Sequence, residues 1–250
     1  MEVTIMYLTG IPVKFLCYSR KAILFLRRFQ PQDEPKGMEA MITIDVRDMV
    51  PDRISEQELL ADPFLEYCLL IEAAADALLT RNRCFIHGTV FVWKEKAWIL
   101  TARSGTGKTT QYHNLKELYG NEVFCLNGDK PGLEFREDGE IIVYDSPWRG
   151  KENEGTSGAA YPLAGIILLQ QQQFNEIQNP EMGEKVVFIY QRLFSTRQKR
   201  STVHLLCRME ENLLKTVPVL LLGNRGDLES TRLLYKTIER LYSENHNVKN

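Results

Sequence analysis

The stretch Ala97–Thr110, AWILTARSGTGKTT, constrains this chain more than any other. An apolar run of strand character, Ala97-Trp98-Ile99-Leu100, leads into a loop with two glycines. Gly107-Lys108-Thr109 then opens a segment with helical spacing. A glycine-bearing loop between a strand and a helix turns several backbone N–H groups toward one point. The helix N-terminus adds its dipole there, and both favour an anion. Ser104, Gly105, Thr106, Gly107, Lys108, Thr109 and Thr110 are therefore the expected cradle for nucleotide phosphates. In such loops the lysine reaches the β/γ-phosphates and the following hydroxyl ligates Mg²⁺, which are the roles of Lys108 and Thr109 here. The usual pattern has a glycine five positions before Gly107, where this chain has Ala102.

With 250 residues the chain can bury one large core, or one domain with a small appendage. A net charge of −2 supplies no whole-chain drive toward nucleic acid or an anionic membrane, and neither is an expected partner. The longest apolar run, Leu163 to Leu169, is far short of the roughly eighteen residues of a membrane helix. Pro12, Lys14, Arg20, Lys21, Arg27 and Arg28 interrupt the apolar N-terminus, so no signal peptide is expected. The five cysteines are scattered and form no CxxC pair. Free, buried thiols in a reducing cytoplasm are the expectation, and zinc is not.

Residues 1–50 read as an N-terminal β layer, with strands near Val3–Tyr7, Val13–Leu16, Ala22–Leu26 and Met41–Val46 and a loop at Pro31–Gly37. Residues 51–250 read as the nucleotide-binding domain. A helix is expected from about Ala61 to Thr80. Its acids Asp62, Glu66, Glu72 and Asp76 fall within a sector of about 120°, so most of its circumference should be buried. Cys84–Trp93 reads as one strand, turning at Lys94-Glu95 into the strand that feeds the loop. That hairpin implies a mixed sheet. The helix after the loop should end at Gly120. Val123–Leu126 is the next strand, delivering Asp129. Asp138-Gly139 marks a hairpin between Gly132–Phe135 and Glu140–Tyr144. After a long loop from Asp145 to Tyr161, a buried strand is expected at Leu163–Gln170. Helices follow near Glu184–Phe194 and Thr202–Lys215, then a strand at Val217–Leu222 and a last helix capped by Asp227.

Phosphoryl transfer needs a carboxylate for the metal, a base or orienting group for the acceptor, and positive charge at the transferred group. Asp129 follows the strand after the loop helix, where a sheet delivers a carboxylate toward phosphates. His87 lies mid-strand in this reading, and the adjacent Gly88 allows close backbone approach. Arg149 and Lys151, in the long loop beside Trp148, are the candidate contacts to phosphate or substrate.

Three motifs together are similar to those of the HPr kinase/phosphorylase and ATP-dependent phosphoenolpyruvate carboxykinase superfamily, especially its small bacterial members. They are Ser104–Thr110, His87-Gly88 twenty-one residues before Lys108, and Asn127-Gly128-Asp129-Lys130. Trp148-Arg149-Gly150-Lys151-Glu152 also resembles a motif of the small relatives. The resemblance implies an α/β fold with a mixed-sheet P-loop core and a small N-terminal β layer, and an ATP- and Mg²⁺-dependent kinase. It places His87 by the γ-phosphate and makes Asp129 a metal ligand or the base that activates a hydroxyl. It implies as acceptor a serine of a peptide or small protein. A small hydroxyl metabolite, or a non-catalytic nucleotide-binding switch or scaffold, are the alternatives, and homo-oligomerisation stays open. Gly128 and Lys130 flank Asp129, so only one of the family's paired acids is present.

Overall fold

The computed structural model describes residues 1–27, 41–48, 54–103, 105–150, 155–156, 158–197 and 199–247. The loop expected at Pro31–Gly37 lies outside them, as do Ser104 and Lys151. The fold is mixed α/β, with a small three-stranded sheet and a large ten-stranded one.

The small sheet comprises β1 (Glu2–Leu8), β2 (Ile11–Cys17) and β3 (Ile42–Asp45), with β2 in the middle. Alternate residues of β2, from Ile11 to Cys17, are buried, as half-buried strands require. The expected strand at Ala22–Leu26 is instead helix α1 (Arg20–Arg27). Its Arg, Lys, Ala and Leu residues are good helix formers, and the Ser19 hydroxyl accepts the Lys21 N–H at 3.1 Å as a cap. A short α2 (Glu56–Ala61), closed by a Ser55–Glu58 capping box, precedes α3 (Pro63–Leu79). The small sheet packs on α3 through Phe15, Ile23, Leu70, Ala74 and Leu78, and this core also takes in Phe85 and Trp148. Glu66, expected on the polar face of α3, is buried. Its carboxylate accepts the Tyr18 and Ser19 N–H groups, which ties α3 to the start of α1.

The expected single strand Cys84–Trp93 is two: β4 (Arg83–Ile86) and β5 (Thr89–Trp93). The break falls at His87-Gly88, where the chain passes between two wings of the large sheet. Lys94 and Glu95, both at positive φ, turn β5 into β6 (Lys96–Thr101). Helix α4 (Lys108–Tyr119) follows and ends at Gly120, at φ 55°. Next come β7 (Val123–Asn127), β8 (Gly132–Phe135), β9 (Ile141–Tyr144), β10 (Ala160–Gln171) and β11 (Glu176–Gln178). The remainder is α5 (Met182–Tyr190), β12 (Leu193–Phe194), α6 (Arg200–Thr216), β13 (Val219–Asn224) and α7 (Leu228–Asn247). The helix expected to reach Phe194 thus stops at Tyr190, because Leu193 and Phe194 pair with Ile86 and Phe85 of β4. Asp227 caps α7 as expected, its carboxylate accepting the Ser230 N–H at 2.9 Å.

One wing is antiparallel, in the order β12-β4-β8-β9. The other runs β7-β5-β6-β10-β13-β11, with β6, β10 and β13 mutually parallel. The twelve-residue β10 joins them. It pairs with β9 through Ala160–Pro162 and with β6 from Leu163 onward. Along β6, Trp98 and Leu100 face the core under α4 and α7, while Ile99 faces the core shared with α5 and α6. The loop that follows β6 is therefore anchored on a strand buried on both faces.

Candidate functional site

The register of the sheet brings the site together. β6 and β7 each run antiparallel to β5, so both end at the edge where β5 begins. Thr89 stands opposite Leu100, and Val90 opposite Asn127. The loop after β6, the Gly128-Asp129 turn after β7 and the His87-Gly88 link before β5 therefore converge. Cross-links fix them: Gly88 N–H to the Asp129 carbonyl at 2.8 Å, Thr101 Oγ1 to the His87 carbonyl at 2.6 Å, and Thr89 Oγ1 to the Gly128 carbonyl at 3.2 Å. Gly88 is required here. A Cβ on it would stand 2.7 Å from Ile99 Cγ2 and 2.9 Å from the Leu100 carbonyl oxygen.

The loop turns through two glycines in the left-handed region. Gly105 and Gly107 sit at φ of 78° and 99°, and Gly107 precedes α4 with no side chain capping the helix N-terminus. Thr106 folds back onto the Arg103 carbonyl through its N–H and its hydroxyl. Lys108 Nζ donates to the Ala102 carbonyl at 3.4 Å, so its ammonium lies across the loop. Burial, then the Arg192 guanidinium, lowers its pKa, while Asp129 opposes the shift. Ala102, in place of the pattern's first glycine, is fully buried, and its methyl belongs to the core with Leu100 and Tyr112. Thr109 is half-buried and Thr110 exposed in the first turn of α4.

Asp129 is positioned by Asn127, whose fully buried side chain accepts the Asp129 N–H at 2.9 Å and donates to Asp145 at 3.0 Å. Asp129 Oδ1 is 3.7 Å from His87 Nδ1, near but beyond hydrogen-bond reach. Its other oxygen lies 2.7 Å from Lys130 Nζ. Burial and the Lys108 charge push the His87 pKa down, against the pull of Asp129. Gly150, at φ 75°, packs on Asp129, and a Cβ there would meet Asp129 Cβ at 3.2 Å.

Arg149, expected as a substrate contact, has a different place. Its guanidinium is buried and forms an ion pair with Asp145, which also bonds to Asn127. A Cβ on Gly155 would stand 2.6 Å from Arg149 Nε, so the backbone closes over this pair. Arg149 therefore braces the turn that carries Asp129. Trp148 does the same from the other side. Its carbonyl accepts the Lys130 N–H, and its ring packs edge-on against Phe85 at 4.9 Å.

Asn127 enters a reading of the sequence only as part of the Asn127-Gly128-Asp129-Lys130 motif, and two participants escape it: Asp145 and Arg192. The last lies in the turn between α5 and β12, where its carbonyl accepts the His87 N–H at 2.8 Å. No spacing or motif marks it. Among the described residues no cluster of three or more His, Cys, Asp or Glu side chains could hold a metal. No described helix is long and apolar enough to cross a membrane. Cys17, Cys68, Cys84, Cys125 and Cys207 are all free, three of them buried, Cys68 intermediate and Cys207 exposed.

No protein-family model and no curated protein matches the chain. Among solved structures, the chain is similar to the HPr(Ser) kinase/phosphatase from Coxiella burnetii. That likeness covers 66% of this chain and 97% of the other, at 13% identity and a TM-score of 0.33.

Proposed function

We propose that the chain is an ATP- and Mg²⁺-dependent phosphotransferase that phosphorylates a hydroxyl, with a serine of a peptide or small protein as the acceptor. One observation carries this reading. His87 Nδ1 and the positioned Asp129 carboxylate stand 3.7 Å apart, at the sheet edge that also presents the N-terminus of α4 and Lys108. The first-turn N–H groups of α4, with Gly105, Thr106 and Gly107, bind the phosphates. Lys108 leaves the Ala102 carbonyl for the terminal phosphates. His87 orients the acceptor or the transferred group. Asp129 takes the acceptor proton or helps to hold the metal.

The donor set fits Mg²⁺, which commonly takes one or two protein oxygens and fills its shell with phosphate oxygens and water. Thr109 and Asp129 are the residues that would hold it. Bound there, the ion neutralises charge on the phosphates. Ser104 would join the cradle. Lys151 would contact phosphate or substrate, and Arg149 would act on the loop beside Asp129 through the Asp145 ion pair.

A second reading has its own support. Because Lys130 neutralises Asp129, a protein that binds nucleotide without transferring phosphate, as a switch or scaffold, is the alternative. A screen for transfer of labelled γ-phosphate to peptides and small hydroxyl compounds separates the two, and also separates a peptide acceptor from a metabolite. Transfer by the wild type that is lost in Asp129→Asn supports the kinase. Equal transfer by both removes Asp129 from the mechanism. Lys108→Ala should weaken ATP binding by about 1.5–3 kcal/mol, the range for a hydrogen bond to a charged group. Unchanged affinity would sink the nucleotide-binding reading.

A further inference from the structure

We propose that the exposed face of α6 and the cavity beside it dock an acidic peptide segment, with one apolar side chain of that segment held in the cavity. The role of this segment as part of the acceptor rests on the peptide-kinase reading. α6 starts a few residues after Phe194, whose ring lies 5.8 Å from Lys130 Nζ beside Asp129. It ends at Thr216, just before β13. β13 and β6 both run parallel to β10, and β6 ends at the phosphate loop, so β13 begins at the opposite edge of the sheet. The helix therefore leads away from the His87 and Asp129 edge.

Arg200, His204 and Arg208 stand at every fourth position of α6 and are exposed on one face, with exposed Lys199 just ahead of them. A step of four residues spaces them about 6 Å apart along the helix, close to the roughly 6.6 Å between alternate residues of an extended chain. Among the described residues, Lys199, Arg200 and Arg208 form no ion pair. Glu211, the acid on the same face, is taken by Lys215. At Arg208 the stripe meets a cavity of about 160 Å³ between α6 and the β8–β9 hairpin. Phe135, Leu205 and Met209 give it apolar walls, and Arg136 and Glu137 stand at its hairpin side. Arg136 is already paired with Glu134, which leaves Arg208 as the unpaired cation there. The volume is several times a water's share of about 30 Å³, enough for one aliphatic side chain. Unpaired arginines recognise carboxylates and phosphates alike. The apolar cavity at the end of the stripe favours a peptide, because a nucleic acid has no aliphatic side chain to place in it.

The test uses the full chain and three fluorescein-labelled probes. These are a short peptide of alternating Glu and Ala with one central Leu, the same peptide with Lys for Glu, and a short oligothymidylate. Fluorescence anisotropy should show binding of the acidic peptide alone, weakening as salt rises. Arg200→Glu and Arg208→Glu should each weaken it about fivefold or more. Lys236→Glu, the same charge change on an exposed position of α7, should alter it by less than about twofold. Asn212→Trp, which fills the cavity from its lining, should weaken the Leu-bearing peptide and leave a version with Ala in place of Leu unchanged. No binding of the acidic peptide, equal binding of the lysine peptide or the oligothymidylate, or equal losses in Arg208→Glu and Lys236→Glu would overturn the proposal. So would an Asn212→Trp variant that binds the Leu-bearing peptide like the wild type. ATP affinity, read by calorimetry, should be the same in wild type and Arg208→Glu. Peptide binding by a wild type that binds no ATP keeps the docking face and removes the kinase reading. ATP binding without peptide binding keeps the nucleotide site and removes the docking face.

Discussion

Lys130 Nζ lies 2.7 Å from Asp129 Oδ2, so the carboxylate at the end of β7 already has a fixed counter-ion in the nucleotide-free chain. The same ammonium is 5.8 Å from the centre of the Phe194 ring, which holds it in place. Any metal or acceptor hydroxyl at Asp129 has to compete with this pair.

Lys130→Met should release that competition. The pair is partly exposed, and such pairs are worth up to about 1 kcal/mol. The Mg²⁺ concentration that half-saturates ATP binding should therefore fall by roughly two- to fivefold. A magnesium titration at fixed ATP reads this. An unchanged midpoint would mean that Lys130 and the metal do not share Asp129.

Gly88→Ala should destabilise the fold by about 1–3 kcal/mol, because its methyl has to displace Ile99 and the Leu100 carbonyl on the adjacent strand. It should also impair nucleotide binding, since Gly88 carries the cross-link to the Asp129 carbonyl. Urea denaturation measures the first effect and calorimetry the second. A variant as stable as the wild type would contradict the close approach of β5 and β6.

Asp145→Ala breaks the buried ion pair with Arg149, and breaking such a pair from one side typically costs about 3–5 kcal/mol. Burial raises the Asp145 pKa, while the Arg149 and Asn127 hydrogen bonds oppose the shift. Combining Asp145→Ala with Arg149→Met removes both charges of the pair and should recover part of the loss. Denaturant midpoints of the three proteins decide it, and a single variant costing under about 1 kcal/mol would show the pair to be dispensable.

Glu210, buried on α6 with Oε1 meeting no partner among the described residues, has its pKa raised to about 7 by burial. The native state therefore holds a proton that the unfolded chain, with an ordinary glutamate pKa, gives up. By linkage, this contribution to stability is full at low pH and is lost as the pH rises through about 7. Glu210→Gln should accordingly be more stable than wild type at pH 8, by roughly 2 kcal/mol, and nearly equal to it at pH 5. Melting curves across that range would show a gap widening with pH, and a constant gap would rule the titration out.

Much of this architecture is local chemistry and so can be read from the chain. Two glycines and a lysine after an apolar run specify a strand, a cradle and a helix. Lys94-Glu95 and Asp138-Gly139 specify turns, and Asp227 specifies a cap. Apart from α1, whose residues and Ser19 cap favour a helix locally, the errors lie where long-range packing overrides local preference. Ile86 and Thr89 read as one strand because both are strand-formers. They separate because β4 pairs with β8 and β12, whereas β5 pairs with β6 and β7. Leu193 and Phe194 continue a helical pattern in sequence, yet the open edge of β4 takes them as a strand.

That a two-glycine loop joins β6 to α4 is legible in the chain alone, because backbone geometry and side-chain type are written locally. Only the tertiary structure decided which charges face which. It gave Asp129 to Lys130, withdrew Arg149 into a pair with Asp145, and brought the unannounced Arg192 beside His87 and Lys108. Those pairings depend on strand register and on the turn between α5 and β12. They arise from burial and distance across segments a hundred residues apart in places, which no spacing along the chain encodes.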